Sequence, residues 1–218
     1  ALRVALRMAA TDPAIVIRLK GDDPHAVAMG PIPANEIAEA TSQIGEWWSP
    51  ILEGSHATIE IAVSGQVDVS KVTLTLSRVS HLVQAGYALS PSAQAQAKAT
   101  GIGSSGLCEI DWKCRPPTPA LTNAANAVGR MVFTESNGAS FLCTGTLVND
   151  SIGSQTPYFF TADHCIDSVF AATTLNVYWF YDSVGCSTVD SPEMSETPGD
   201  YFLQTGGSTL LGRSVAQD

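Results

Sequence analysis

Two apolar stretches, residues 141–148 and 158–165, each carry a cysteine, and His164 stands immediately before the second of them. Imidazole exchanges a proton near neutral pH, so a histidine at the end of a strand is a candidate general base. If Cys143 and Cys165 bridge, the backbone at His164 is fastened to a neighbouring strand. Closing a loop of that size contributes about 3 kcal/mol in the chain-entropy model. A fixed base matters because a small displacement of a catalytic group costs much in rate. Two other readings of these residues stay open. A histidine beside a cysteine is commonly structural. Asp163, His164, Cys165 and Asp167 also offer metal-ligand atoms, although no second Cys or His lies at Cys-x-x-Cys or His-x-x-x-His spacing.

Strands must hold these residues. Residues 128–133, 140–148, 158–161 and 174–181 are β-branched or aromatic runs, and Asn137-Gly138 supplies hairpin chemistry between the first two. Residues 149–157 read as a polar loop, and 182–207, polar and acidic, as a long surface loop. The first half of the chain also reads as strands. Residues 14–19 are β-branched; 56–63 alternate, with Ala57, Ile59, Ile61 and Val63 on one face; 72–77 alternate too. One short helix is expected over 34–44, with Ile37 and Ile44 sharing a face. Trp47, Trp48 and Pro50 follow it and are expected in the core rather than on a binding surface. The fold class expected is mainly β, with a small β-sandwich in the first half.

The chain has 218 residues, a net charge of −10, 44% hydrophobic and 15% charged residues. So much apolar matter excludes a disordered chain. An excess of acid over base argues against nucleic-acid binding through charge. No run of about 18 apolar residues is present, so no membrane span is expected. Residues 1–10 hold Arg3 and Arg7 and lack the apolar core of a signal peptide. Charge and cysteine are both lopsided. Residues 1–106 carry 7 Lys+Arg against 9 Asp+Glu and no cysteine; residues 107–218 carry 4 against 12 and all five cysteines. The change falls in a Ser-, Ala-, Gln- and Gly-rich stretch over 90–106. The expected organisation is a β-rich N-terminal pro or accessory domain over 1–98, a linker over 99–106 and a second domain over 107–218. Disulfide use points outside the cytoplasm. No Asp-x-[Asp/Asn]-x-[Asp/Asn]-Gly calcium loop occurs among the acidic residues 182–200.

The second half resembles trypsin-like serine proteases, and more closely the secreted bacterial lysyl endopeptidase family. Cys143 to Asn149 reads C-T-G-T-L-V-N, where the family reads C-T-G-S-L-V-N. Tyr158 to Cys165 reads Y-F-F-T-A-D-H-C, where the family reads Y-F-L-T-A-H-H-C. Asn176 to Tyr181, followed by Cys186, matches a V-V-Y-W-N-Y strand followed by a cysteine. The spacing of Cys108, Ile110-Asp111 and Cys114 matches the start of the family's mature chain.

This resemblance implies the first half of a two-barrel protease that hydrolyses protein or peptide substrates, without a cofactor or metal. His164 aligns with the catalytic base. Asp218, eight residues beyond Gly207-Ser208-Thr209, aligns with the carboxylate that orients it. The resemblance pairs Cys143 with Cys165 and Cys114 with Cys186, and gives Cys108 a partner beyond the chain end. Neither half contains the Gly-x-Ser-Gly-[Gly/Ser] elbow that would mark the nucleophile, and the superficially similar Gly103-Ser104-Ser105-Gly106 precedes the first cysteine. An incomplete chain, inactive by itself, is therefore expected. The alternative is a secreted, non-catalytic protease-like binding module. Asp163 departs from the family, and a carboxylate pointing at the base would favour its protonated form. Lys98 would suit processing by a Lys-directed protease, but the favoured reading is simply an exposed linker lysine.

Overall fold

The structure is a computed structural model that describes residues 1–9, 12–24, 26–65, 67–68, 72–82, 112–182, 186 and 201–214. The described residues are mainly β. The N-terminal part contains β1 (Leu2–Met8), β2 (Ile15–Gly21), β3 (Met29–Pro33), helix α1 (Ala34–Ile44), β4 (Trp47–Trp48), β5 (Ala57–Val63) and β6 (Leu74–His81). They form two antiparallel three-stranded sheets, ordered β4-β1-β6 and β3-β2-β5. One apolar cluster joins Val4, Leu6 and Met8 of β1 to Ile15, Ile17 and Leu19 of β2, with Ile37, Trp47 and Leu52. Strand β2 shows why: Ile15, Ile17 and Leu19 are buried while Arg18 and Lys20 are exposed, the period of two that a half-buried strand requires.

Helix α1 spans the expected residues. Ala34, Ile37 and Ala40 are its buried face, and Gly45 ends it in the left-handed conformation at φ 87°, donating its N–H to Thr41 O. Trp47 and Trp48 are both buried and belong to the core. Trp48 Nε1 donates to Glu46 Oε1 at 3.0 Å, and the same buried carboxylate accepts from Ser77 Oγ and from the Arg78 guanidinium. Burial opposes the charge on Glu46, but these donors outweigh it and hold the carboxyl below the usual range.

The C-terminal part holds a turn of 3-10 helix (Trp112–Cys114), α2 (Pro119–Asn126), β7 (Val128–Thr134), β8 (Ser140–Val148), β9 (Tyr158–Phe160), α3 (Val169–Thr173), β10 (Asn176–Trp179) and β11 (Phe202–Gln204). The strands form one antiparallel sheet ordered β11-β10-β7-β8-β9. Its central strands are covered on both faces. Met131, Phe133, Val177 and Trp179 pack into a cluster with Ile166, Ala171, Ala172 and Leu175. Their neighbours Val132 and Tyr178 face the other way, against Ile51 of the N-terminal part. Burial on both faces accounts for the continuous apolar runs.

The two parts meet through a polar seam as well. Arg3 of β1, fully buried, donates to Ser49 O, to Thr134 Oγ1 at 2.8 Å and to Thr174 O at 2.9 Å. Ile51 N–H donates to Tyr178 Oη, and burial raises the pKa of that phenol. Ser140 Oγ donates to Ser80 Oγ, and Arg78 reaches Ser136 O in the β7–β8 turn.

Several expectations are corrected. Strand β1 lies where none was expected. Strand β6 starts later than residue 72 and runs on to His81. Ile61 is exposed rather than on the inner face of β5. In the β7–β8 turn only Gly138 is left-handed, at φ 90°; Asn137 accepts the Ala139 N–H through its side chain instead. Within 182–207, Phe202–Gln204 is a strand because it pairs with β10. The linker over 99–106 lies outside the described residues.

Candidate active site

Strand β9 delivers the chain to a tight turn that carries His164. Cys165 N–H and Ile166 N–H both donate to Ala162 O, and Thr161 Oγ1 donates to Thr144 O at 2.9 Å. A disulfide joins Cys165 to Cys143 of β8, with Cα atoms 6.3 Å apart. Cys165 is buried and His164 is exposed, so the turn presents the imidazole outward from a fixed base. Gly145 explains itself here: a Cβ at that position would lie 2.3 Å from the Phe159 ring. Glycine in the C-T-G motif thus lets β9 lie close against β8.

The Cys143, His164 and Cys165 donor atoms lie within 4.8 Å of one another. Both sulfurs are committed to the disulfide, so neither offers a thiolate to a metal. Of the other candidate ligands, Asp163 is taken by an ion pair. Its Oδ1 and Oδ2 each accept a hydrogen bond at 2.8 Å from Arg213, which also donates to Asp167 O. Arg213 holds the Asp163 carboxyl below the usual range. Asp163 therefore does not stand as an unpaired charge beside His164.

A second disulfide joins Cys114 to Cys186. Next to it, Asp182 accepts from Trp112 Nε1 and from Lys113 Nζ, which ties the start of the C-terminal part to the chain after β10. Asp218 and Cys108 lie outside the described residues. The segment leading toward Asp218 is anchored at α3, where Ser208 N–H donates to Ala172 O at 2.9 Å. Arg213 escaped the sequence reading, although it is the sole charged residue between positions 201 and 217. A pocket of about 320 Å³ lies elsewhere, between β3, Pro50 and β11, and its lining includes none of the residues of the His164 turn.

The disulfide at the turn carries a measurable consequence. The double substitution Cys143→Ala/Cys165→Ala should lower unfolding stability by about 3 kcal/mol, the value for a loop of this length. An unchanged urea midpoint would show that the bridge does not constrain the unfolded chain.

The mainly β architecture, with antiparallel sheets and a disulfide-pinned Thr-Ala-x-His-Cys turn, is consistent with a trypsin-like protease fold. Family profiles match both parts: the lysyl endopeptidase N-terminal domain over residues 1–83 and the lysyl endopeptidase C-terminal domain over 102–218. A lysyl endopeptidase of Pseudomonas aeruginosa is 34% identical over 179 residues, which cover 79% of this chain and 36% of that protein. The chain spans about a third of the length of this curated relative. No solved structure matches it. The chain belongs to the lysyl endopeptidase family.

Proposed function

We propose that this chain is part of a secreted serine endopeptidase that hydrolyses peptide bonds beside lysine. In this reading His164 takes the proton from a serine hydroxyl as the serine attacks the peptide carbonyl, and returns it to the leaving amine. Asp218 accepts from the imidazole, fixes its tautomer and stabilises the imidazolium. In this reading the nucleophilic serine and the pocket for the substrate side chain correspond to parts of the relative beyond the 36% of it that the match covers. Residues 1–218 alone are expected to be inactive in this reading. The N-terminal residues 1–98 serve as a pro or accessory domain, joined to the protease through 99–106.

The observation that carries this reading is the His164 turn, a candidate base exposed at the end of β9 and locked to β8 by a disulfide. The name of the Pseudomonas relative supports lysine as the recognised residue. Two disulfides support an oxidising, extracellular location. Among the described residues no helix is long and apolar enough to cross a membrane.

The test uses the protein extended through its downstream serine. That form should cleave lysyl amides and esters and be labelled by a serine-directed phosphonate, while residues 1–218 alone should do neither. An extended, folded protein that hydrolyses no lysyl substrate would refute the reading.

A further inference from the structure

The turn that carries His164 is held by two elements far apart in the sequence. Strand β8 holds it through the Cys143–Cys165 disulfide and Thr144 O. Arg213 holds it through three donors. Nε–H and Nη2–H go to the two oxygens of Asp163, and Nη1–H goes to Asp167 O. Those acceptors bracket His164, Cys165 and Ile166 in the chain. A guanidinium fork on a carboxylate fixes orientation as well as distance, which a lysine ammonium does not.

The clamp itself has a firm base. Leu210 packs against the core cluster below the turn, and Ser208 is hydrogen-bonded to Ala172 O. Gly207, at φ 72°, lies so close to Thr173 that a Cβ would sit 2.2 Å from its carbonyl oxygen. The Asp163 side chain is only 8% exposed, so each of its oxygens needs a donor. Unpaired, that carboxylate would draw the adjacent imidazole toward its protonated form, which cannot act as a base.

We propose that Arg213 is a positioning residue for His164: it fixes the turn that carries the imidazole and cancels the carboxylate charge beside it. The proposal rests on the reading of His164 as the general base. Among the described residues the charged groups at this turn are Asp163, Asp167 and Arg213; β8 contributes the uncharged Cys143 and Thr144.

The test compares the native chain with Arg213→Gln, Asp163→Asn, the double substitution and Arg213→Lys. The readouts are NMR titration of the His164 ring, assigned by its loss in His164→Ala, and amide exchange at Cys165 and Ile166. Arg213→Gln should move the His164 midpoint upward by about 0.5–1 pH unit, because the carboxylate stays and its counter-charge goes. Asp163→Asn should move it downward, and the double substitution should bring it back toward the native value. Arg213→Lys keeps the charge and loses the fork, so exchange at Cys165 and Ile166 should speed up by about tenfold. A midpoint that stays or falls in Arg213→Gln overturns the proposal, as does unchanged exchange in Arg213→Lys. These measurements need no turnover. The base assignment fails separately, if His164→Ala in the extended protein keeps its activity.

Discussion

Substituting His164 by Ala in the protein extended through its serine should lower kcat/KM for a lysyl ester by about 10⁴- to 10⁶-fold. At 1.36 kcal/mol per tenfold, that is about 5–8 kcal/mol of lost transition-state stabilisation. Without the imidazole the serine hydroxyl keeps its proton at neutral pH, and the alkoxide leaving the ester has no acid to protonate it. Neither function is needed to bind substrate, so the loss should fall on kcat while KM stays within a few-fold. The substitution should leave the fold intact, because the imidazole is exposed while the disulfide and the backbone bonds of the turn remain. Loss of the serine as well should add little, since the two groups act as one unit. Steady-state kinetics on both variants, with thermal unfolding as control, decides the matter. Activity within tenfold of native would remove His164 from the mechanism.

What could be read from the sequence follows from the range over which each signal acts. Helix α1 and the first residues of strand β5 were legible because periodicity is local: Ile37, expected to share a face with Ile44, is buried together with Ala34 and Ala40, and β5 alternates over Ala57 to Glu60. The His164 turn was legible because its residue types sit side by side. The role of Gly145 was not, since it depends on the Phe159 ring across the sheet. Strand β11 was hidden in an acidic stretch and is a strand only because β10 pairs with it. Arg213 reads as an ordinary surface cation until the fold brings it to Asp163, 50 positions earlier. Strand β1 was missed for a similar reason. Leu2, Val4, Leu6 and Met8 alternate with Arg3, Ala5 and Arg7, but Arg3 and Ala5 on the second face are buried as well, and a buried arginine becomes sensible only when its acceptors, up to 171 positions away, are in place.

That arginine should be the most sensitive residue of the seam. Arg3 is fully buried and its three acceptors are neutral oxygens: Ser49 O, Thr134 Oγ1 and Thr174 O. Burial lowers its pKa to about 10, so it is still charged at neutral pH. Removing a cation from water costs several kcal/mol, and three charge-assisted hydrogen bonds at about 1.5–3 kcal/mol each offset that cost. The two are of similar size, so the charge itself adds little net stability. Truncation is different. Arg3→Ala opens a large cavity and takes the Arg3 donor from Ser49 O, while Thr174 O keeps Asn176 Nδ2, and it should cost about 3–5 kcal/mol. Thr134 Oγ1 keeps a partner in Ser140 and Thr174 Oγ1 keeps Thr134, so part of the network survives. Arg3→Met fills most of the volume without burying a charge, and should cost less than half as much as Arg3→Ala. Because the arginine joins β1 to residues on β7 and after α3, Arg3→Ala should also uncouple the two parts. Urea unfolding followed by far-ultraviolet circular dichroism and by tryptophan fluorescence should then give midpoints that differ, where the native chain gives one. A cost below about 1 kcal/mol for Arg3→Ala, within the range of surface substitutions, would mean that the apolar contacts of Ile51, Val132 and Tyr178 hold the parts together without it.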